Sequence, residues 1–511
     1  MQLQAPRATG PEAAPAAPRH RVLVDLSHAA AGYVGIAQDV RLIFDMLAGL
    51  PGVDVAGLLM PTGRHDLPRI EPGTREGEAS ALTAGVLHWM ARNWESRTYP
   101  RLLGRLGKLL EARHVLRKDH ALLRLTPAER TAAIWRILFE KTLAPDRRAA
   151  VLARDFYATD LSVTRIIDRT TLLPNHPAKR LAAEGFDFAL FCMPRPVRLP
   201  PGVQQLVRFH DAVSITDTDT VASWQIGVAH QRLVRGCDPS AVFVCNSPQS
   251  LDDLVALDPR RAERARVVPC AVAPVPERVP DIPFATILDS RRTFRALGEG
   301  ASEPKDLPPP DERPRFVLAT STLEPRKNYP GLIRGWERVV ARSDPDLRLV
   351  IVANSGWLEE PVLRAMAPHV RRGRIVHLQG LPHDELISLM RQAACFAFPS
   401  FNEGFGYPPL EALQAGTPCV VSDIPVFRWT FGDGAVFVDP YDPESIAEGI
   451  ERLTTAPGHA ELRRELLARR EAVVGRFRPS TVRGQWAALL DEAAARRADA
   501  APTARPVPRS A

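Results

Sequence analysis

Short apolar runs recur along the chain, and most are followed by segments whose apolar positions repeat every three to four residues. In the first half these runs fall at Arg21–Leu26, Val53–Met60, Asp187–Cys192, Gln204–Phe209, Ala241–Asn246 and Arg266–Pro269. From Arg315 the order restarts: RFVLAT, a helix from about Pro330, LRLVIVA, a helix, RIVHLQG, a helix, CFAFP, a helix, PCVVS and AVFV. Strands alternating with helices predict an α/β fold with parallel sheets. The proline- and charge-rich stretch Ala273–Pro314 separates the two series, and 511 residues exceed what one core supports. The pattern therefore predicts an α/β domain over 20–275, a linker over 276–313, a second α/β domain over 314–478 and a terminal helix over 479–496, with the site in the cleft between the domains. Residues 1–19 and 497–511, rich in Ala and Pro, read as disordered tails.

One segment interrupts the alternation. Residues 75–180 are arginine-rich and carry mainly helical periodicity, which predicts a helical insertion in the first domain. Within it Arg101–Lys118 sets Leu102, Leu106, Leu109 and Leu110 on one face, opposite Arg101, Arg105 and Lys108. Such a helix either packs on its own domain or lies on an anionic membrane, so peripheral membrane contact enters as an expectation.

Composition narrows the class. Hydrophobic residues at 45% and charged residues at 24% are ordinary for a globular protein. No uncharged apolar run reaches the roughly 18 residues of a membrane span, and the stretch MQLQAPRATGPEAAPAAPRH lacks a signal peptide's apolar core, so a cytoplasmic protein is expected. Cys192, Cys237, Cys245, Cys270, Cys395 and Cys419 show no CxxC spacing, and several lie in apolar runs; they read as reduced packing residues. A net charge of +7 suits nucleic acid, an anionic surface or a phosphorylated ligand. Dispersed arginines, 6% aromatic residues and the lack of zinc-finger, RNP-type or helix-turn-helix signatures argue against nucleic acid.

Candidate chemistry concentrates at predicted strand ends. FNEGFGYPPLEALQAG, residues 401–416, reads as a glycine loop after the CFAFP strand and then a helix, with Glu403 in the loop, Glu411 in the first helical turn and Gly416 as the stop. Ser321–Asn328 ends another strand with Arg326 and Lys327 before a helix that Asn328 caps, a pairing suited to phosphate. In the first domain GYVGI, residues 32–36, opens a helix but is not GxGxxG, and His210-Asp211 follows the strand QQLVRF. Asp217-Thr218-Asp219 has the form of a metal-binding DxD without supporting ligands, so no metal site is expected.

With these runs in view, residues 315–455 closely resemble glycosyltransferase family 4, the retaining, sugar-nucleotide-dependent enzymes of the GT-B fold. LEPRKN, Gly356-Trp357, HLQGLPHDEL, PSFNEGFGYPPLEALQAGTPCVVSD and VDPYDPESIAEGI carry the resemblance; the first domain adds DLSHAAAGYVGIAQDVR, FHD, VFVCNS and RVVPCAV. The resemblance implies two Rossmann-like domains facing a cleft. It places Glu403 and His210 by the donor sugar, and the Gly404, Phe405 and Gly406 amides on its hydroxyls. It puts Glu411 on the ribose, Lys327 with Arg326 on the diphosphate, and Gly32 and Gly35 near the phosphates. Many relatives have arginines where this chain has Ser321 and Gln38, positions for which Arg326 and Arg41 are the nearest substitutes.

The expectation is a retaining hexosyltransferase without a cofactor or metal. It would move mannose from GDP-mannose onto a glycan or lipid-linked acceptor in surface polysaccharide synthesis. The alternative is a catalytically silent GT-B scaffold or sugar-nucleotide-binding protein.

Overall fold

Parallel β-sheets organise both halves of the chain. The computed structural model describes residues 19–30, 35–61, 119–125, 131–172, 178–221, 223–276, 279–293, 296 and 314–500. In chain order the strands of the first half are β1 (His20–Asp25), β2 (Val53–Leu59), β3 (Asp119–His120), β4 (Leu123–Arg124), β5 (Asp155–Ala158), β6 (Lys179–Leu181), β7 (Phe188–Phe191), β8 (Val197–Arg198), β9 (Gln204–Phe209), β10 (Val242–Cys245) and β11 (Ala265–Val267). Eight of them form one sheet in the order β11-β10-β9-β7-β1-β2-β5-β4, parallel except where β4 meets β5; β3, β6 and β8 form a small parallel sheet. The second half holds β12 (Phe316–Thr322), β13 (Arg348–Asn354), β14 (Ile375–Leu378), β15 (Cys395–Phe398), β16 (Cys419–Ser422) and β17 (Val436–Val438), an all-parallel sheet in the order β14-β13-β12-β15-β16-β17.

Burial explains the continuous apolar runs. Val317, Leu318 and Ala319 of β12 are all buried, successive side chains entering the two separate apolar clusters that flank the sheet. Four helices position the cleft: α1 (Gly35–Ala48), α2 (Tyr329–Arg342), α3 (Tyr407–Ala415) and α4 (Pro479–Ala500). Although α4 is last in the chain, its Val482, Trp486, Leu489 and Leu490 are buried in the core of the first domain with Val40, Phe44 and Leu47 of α1. The chain thus crosses back to close the first domain over its own end.

Four sequence expectations need correction. The interval 75–180 is not a helical insertion throughout: β5 is a strand of the large sheet, paired Gly57↔Phe156 and Leu58↔Tyr157, and β3, β4 and β6 also lie in the interval or at its end. DFYA is too short, and too polar at its alternate positions, to separate from helical periodicity. The linker 276–313 contains the helix Phe284–Arg291, with Phe284, Ile287 and Leu288 buried and Phe284 stacked on Phe316 at 5.2 Å. Three apolar residues at i, i+3 and i+4 were hidden among prolines and charges. The terminal helix runs to Ala500 rather than 496, fastened by Arg497 on Asp187 at 2.8 Å. Finally, Glu411 lies one turn inside α3 rather than in its first turn, because the helix already begins at Tyr407. The amphipathic stretch 101–118, the glycine Gly32 and the tail residues 1–18 and 501–511 lie outside the described residues.

Candidate active site

Carboxyl ends of β12 and β15 bring the second domain's charges together. After β12 the chain makes a tight turn at Pro325–Lys327, and Asn328, in left-handed conformation at φ 56°, caps α2 by accepting from the Gly331 amide at 3.2 Å. The Asn328 amide also donates to Pro399 O at 3.0 Å and Pro440 O at 2.6 Å, so one buried side chain ties together three loops at the strand ends. Beyond β15, Gly406 adopts φ 88° as the residue before α3, and a Cβ there would come 2.3 Å from Phe427 Cε1. Glycine is required on both counts.

Glu403 receives two cations. Lys327 Nζ donates to Oε1 at 2.6 Å and Arg326 donates to Oε2 at 2.9 Å, while Arg326 also reaches Glu324 Oε2 at 3.1 Å. Thr322 holds the other oxygen of Glu324. Burial alone would raise the Glu403 carboxyl, but Arg326 and Lys327 overcome it and hold its pKa at about 2. The Lys327 pKa is lowered as well, by burial and the Arg326 charge despite Glu403, which for an amine disfavours the charged form. Two anions and two cations balance in the free protein, and Glu403 is ionised at any physiological pH.

The first domain closes over this cluster through direct contacts. Ser247 donates to Gly404 O at 2.9 Å, Asn402 to Asp217 Oδ2 at 2.6 Å, Trp357 Nε1 to Thr220 O at 2.7 Å and Gln38 to Glu411 Oε1 at 3.0 Å. A Cβ on Gly404 would meet His210 O at 2.4 Å, and one on Gly35 would meet the Tyr407 ring at 3.0 Å. Backbone thus packs where glycine alone fits, and the first turns of α1 and α3 face each other. His210 donates from Nε2 to Cys192 O at 3.1 Å in the tautomer that this carbonyl dictates, and burial lowers its pKa.

Sequence-predicted residues therefore divide. Glu403, Lys327, Arg326, Gly404, Gly406, Glu411, Gly35 and His210 stand around one cleft. Phe405 is buried against Tyr407, Trp429 and Phe477, so its side chain braces the loop. Arg41 does not stand in for a cleft arginine: it is fully buried and donates to Ala29 O, Leu138 O and Thr142 Oγ1. Ser321 bonds the Tyr329 hydroxyl at 2.7 Å. Asp217 bonds Asn402 rather than gathering ligands with Asp219. Sequence reasoning missed Glu324, Ser247 and Asn402, although all three lie inside the runs LEPRKN, VFVCNS and PSFNEGF; only their spatial partners give them weight.

Two other features lie near or beyond this cleft. Asp39, His210 and Cys270 place ligand-type atoms within 4.8 Å of one another. The Arg208 guanidinium fills that group, at 2.7 Å from Asp39 and 3.2 Å from Cys270 Sγ, so a cation is already present. A cavity of about 930 Å³ opens at the opposite end of the second sheet, lined in part by Phe284, Phe316, Arg391 and Arg463. There Arg463 serves the carbonyls of Ala394 and Leu453, and Arg315 that of Thr454, which are helix-end duties rather than ligand chemistry.

Residues 303–469 match the family model of the Glycosyl transferases group 1. The O-antigen chain mannosyltransferase B of Escherichia coli is 32% identical over 135 residues, covering 26% of this chain and 35% of that protein. The MMP alpha-(1->4)-mannosyltransferase of Mycolicibacterium hassiacum is 30% identical over 188 residues, 36% of this chain and 44% of that one. The matches thus span less than half the length of either relative. Among solved structures, sucrose-phosphate synthase from Thermosynechococcus elongatus superposes with a TM-score of 0.51 at 15% identity, covering 94% of this chain and all of that one. The N-terminal domain of Candida albicans trehalose-6-phosphate phosphatase gives 0.52 at 10% identity over 95% of this chain and 99% of its own. None of the described helices is long and apolar enough to cross a membrane. The chain has the GT-B fold, and its residues 303–469 are similar to the Glycosyl transferases group 1 family.

Proposed function

We propose that this protein is a retaining glycosyltransferase that moves mannose from GDP-mannose onto a glycan or lipid-linked acceptor in surface polysaccharide synthesis, acting in the cytoplasm and in contact with the inner membrane face. The observation that carries the reading is the buried clamp of Arg326 and Lys327 on Glu403 at the cleft. A diphosphate entering there meets two fixed cations, which stabilise the charge that develops as the anomeric C–O bond breaks. Glu403, ionised, supplies no proton; it accepts sugar hydroxyls and offsets the positive charge at the anomeric carbon. Glu411 accepts the ribose hydroxyls, and the amides of the Gly404–Gly406 loop face the sugar. In the transfer the acceptor oxygen bonds to the anomeric carbon on the face the diphosphate leaves, and the hydroxyl proton departs with a diphosphate oxygen. No metal or cofactor enters this scheme. The mannosyltransferase relatives support the choice of sugar.

A direct test supplies the full chain with GDP-mannose and an α-mannoside bearing an apolar aglycone, following GDP release and the linkage of the product by NMR. The expected result is an α-linked product. Tight nucleotide binding with no transfer to any mannoside would favour the silent sugar-nucleotide-binding scaffold instead. A β-linked product would contradict retention.

A further inference from the structure

We infer that Gln38 is a positioning residue that aims Glu411 at the ribose of the nucleotide, an inference that rests on the sugar-nucleotide reading above. The first turn of α1 is seated on the first turn of α3: Gly35 leaves just enough room for the Tyr407 ring, and the Tyr407 hydroxyl reaches Asp39 Oδ1 at 3.4 Å. Asp39 is in turn fixed by the buried Arg208 guanidinium at 2.7 Å. Gln38 lies on this immobilised turn, and its amide donates to Glu411 Oε1 at 3.0 Å from 373 residues away. Among the described residues no other hydrogen-bond partner is recorded for Glu411.

The chemistry of the pair favours a reader over a simple tie. A carboxylate offers about four acceptor positions, and one amide donor occupies one of them. The remaining oxygen keeps its lone pairs for a second donor, and the bond to Gln38 fixes the plane in which they point. An arginine at this position would take both oxygens in a fork and spend the carboxylate on a domain contact. Glutamine is also neutral, so Glu411 keeps its full charge as an acceptor. A vicinal diol, the ribose 2′ and 3′ hydroxyls, supplies two adjacent donors to such a half-occupied carboxylate. Gln38 joins the two domains as well, so the ribose is read when the first domain is seated on the second.

The test measures discrimination rather than affinity alone. GDP, UDP and their 2′,3′-dideoxy forms are titrated calorimetrically into wild type, Gln38→Met, Gln38→Glu and Glu411→Ala, with melting temperatures recorded without ligand. Wild type is expected to prefer the ribose form of its nucleotide by about tenfold or more, the scale of a hydrogen bond to a charged group. Gln38→Met, similar in volume, should keep its fold and narrow that preference to about threefold or less, and Gln38→Glu and Glu411→Ala should abolish it. If Gln38→Met weakens both forms equally, Gln38 only joins the domains and the inference fails alone. A wild type that binds none of these nucleotides overturns the sugar-nucleotide reading together with the inference.

Discussion

Each domain presents a buried ion cluster to the cleft, and the two differ in access. Asp39 and Arg208 in the first domain have side chains 1% and 0% exposed, whereas Arg326 and Lys327 keep 18% and 9%. Arg208 is used on every side, by Asp39, Val268 O and Cys270. Arg326 and Lys327 bond the carboxylates of Glu403 and Glu324, acceptors with which an anion can compete. A cluster sealed from solvent holds a fold, and one that keeps part of its cations exposed can trade partners with a ligand.

The largest expected effect falls on the closed cluster. Arg208→Ala leaves Asp39 charged and buried without its partner and should cost about 3 to 5 kcal/mol in denaturant unfolding. A loss below about 1 kcal/mol would remove the distinction between the clusters. Next is Gly406→Ala, which combines a positive φ worth about 1 to 2 kcal/mol with a clash against Phe427. Gly416→Ala, at φ 100° but with nothing nearer than 3.7 Å, should show the conformational cost alone, so equal losses would refute the role of Phe427.

Smaller effects probe the open cluster. Because burial and Arg326 lower the Lys327 pKa, its charge is worse placed in the fold than in water. Lys327→Met removes a charge that burial disfavours but leaves the buried Glu403 with Arg326 alone, so the melting temperature of the unliganded variant should fall by less than that of Arg208→Ala. The Glu403 pKa is also lowered, from 4.5 to about 2, which for a carboxyl favours the charged form. Its depressed pKa adds stability that is complete above about pH 4.5 and is lost as pH falls through 2. In acid titrations Glu403→Gln should flatten that part of the profile, and an unchanged slope would mean the ion pairs do not persist in solution. At zero effect, a chelator should leave transfer rates intact; activity lost on chelation and restored by manganese would contradict the metal-free scheme.

The same contrast explains what was legible in the sequence. The second domain announces itself because its strands are buried on both faces and its glycines, prolines and charges sit at strand ends, where local rules apply. The first domain is harder because its pieces depend on distant partners. DFYA becomes a strand only by pairing with β2, and α4 packs on α1 across most of the chain. Glu403 and Lys327 were readable as candidates from their neighbours, but their direct contact, 76 residues apart, was not. Gln38 looked like a departure from a pattern; its bond to Glu411 is visible only once the two helices are seated together.

The most direct test of the open cluster is a calorimetric titration of GDP and UDP into wild type and Lys327→Met at one salt concentration. The account predicts that wild type binds at least one of them and that the variant, folded at the temperature of the titration, binds it about tenfold or more weakly, the loss of one charge-assisted contact. Equal affinity in the two proteins would contradict the assignment of this cluster to the diphosphate.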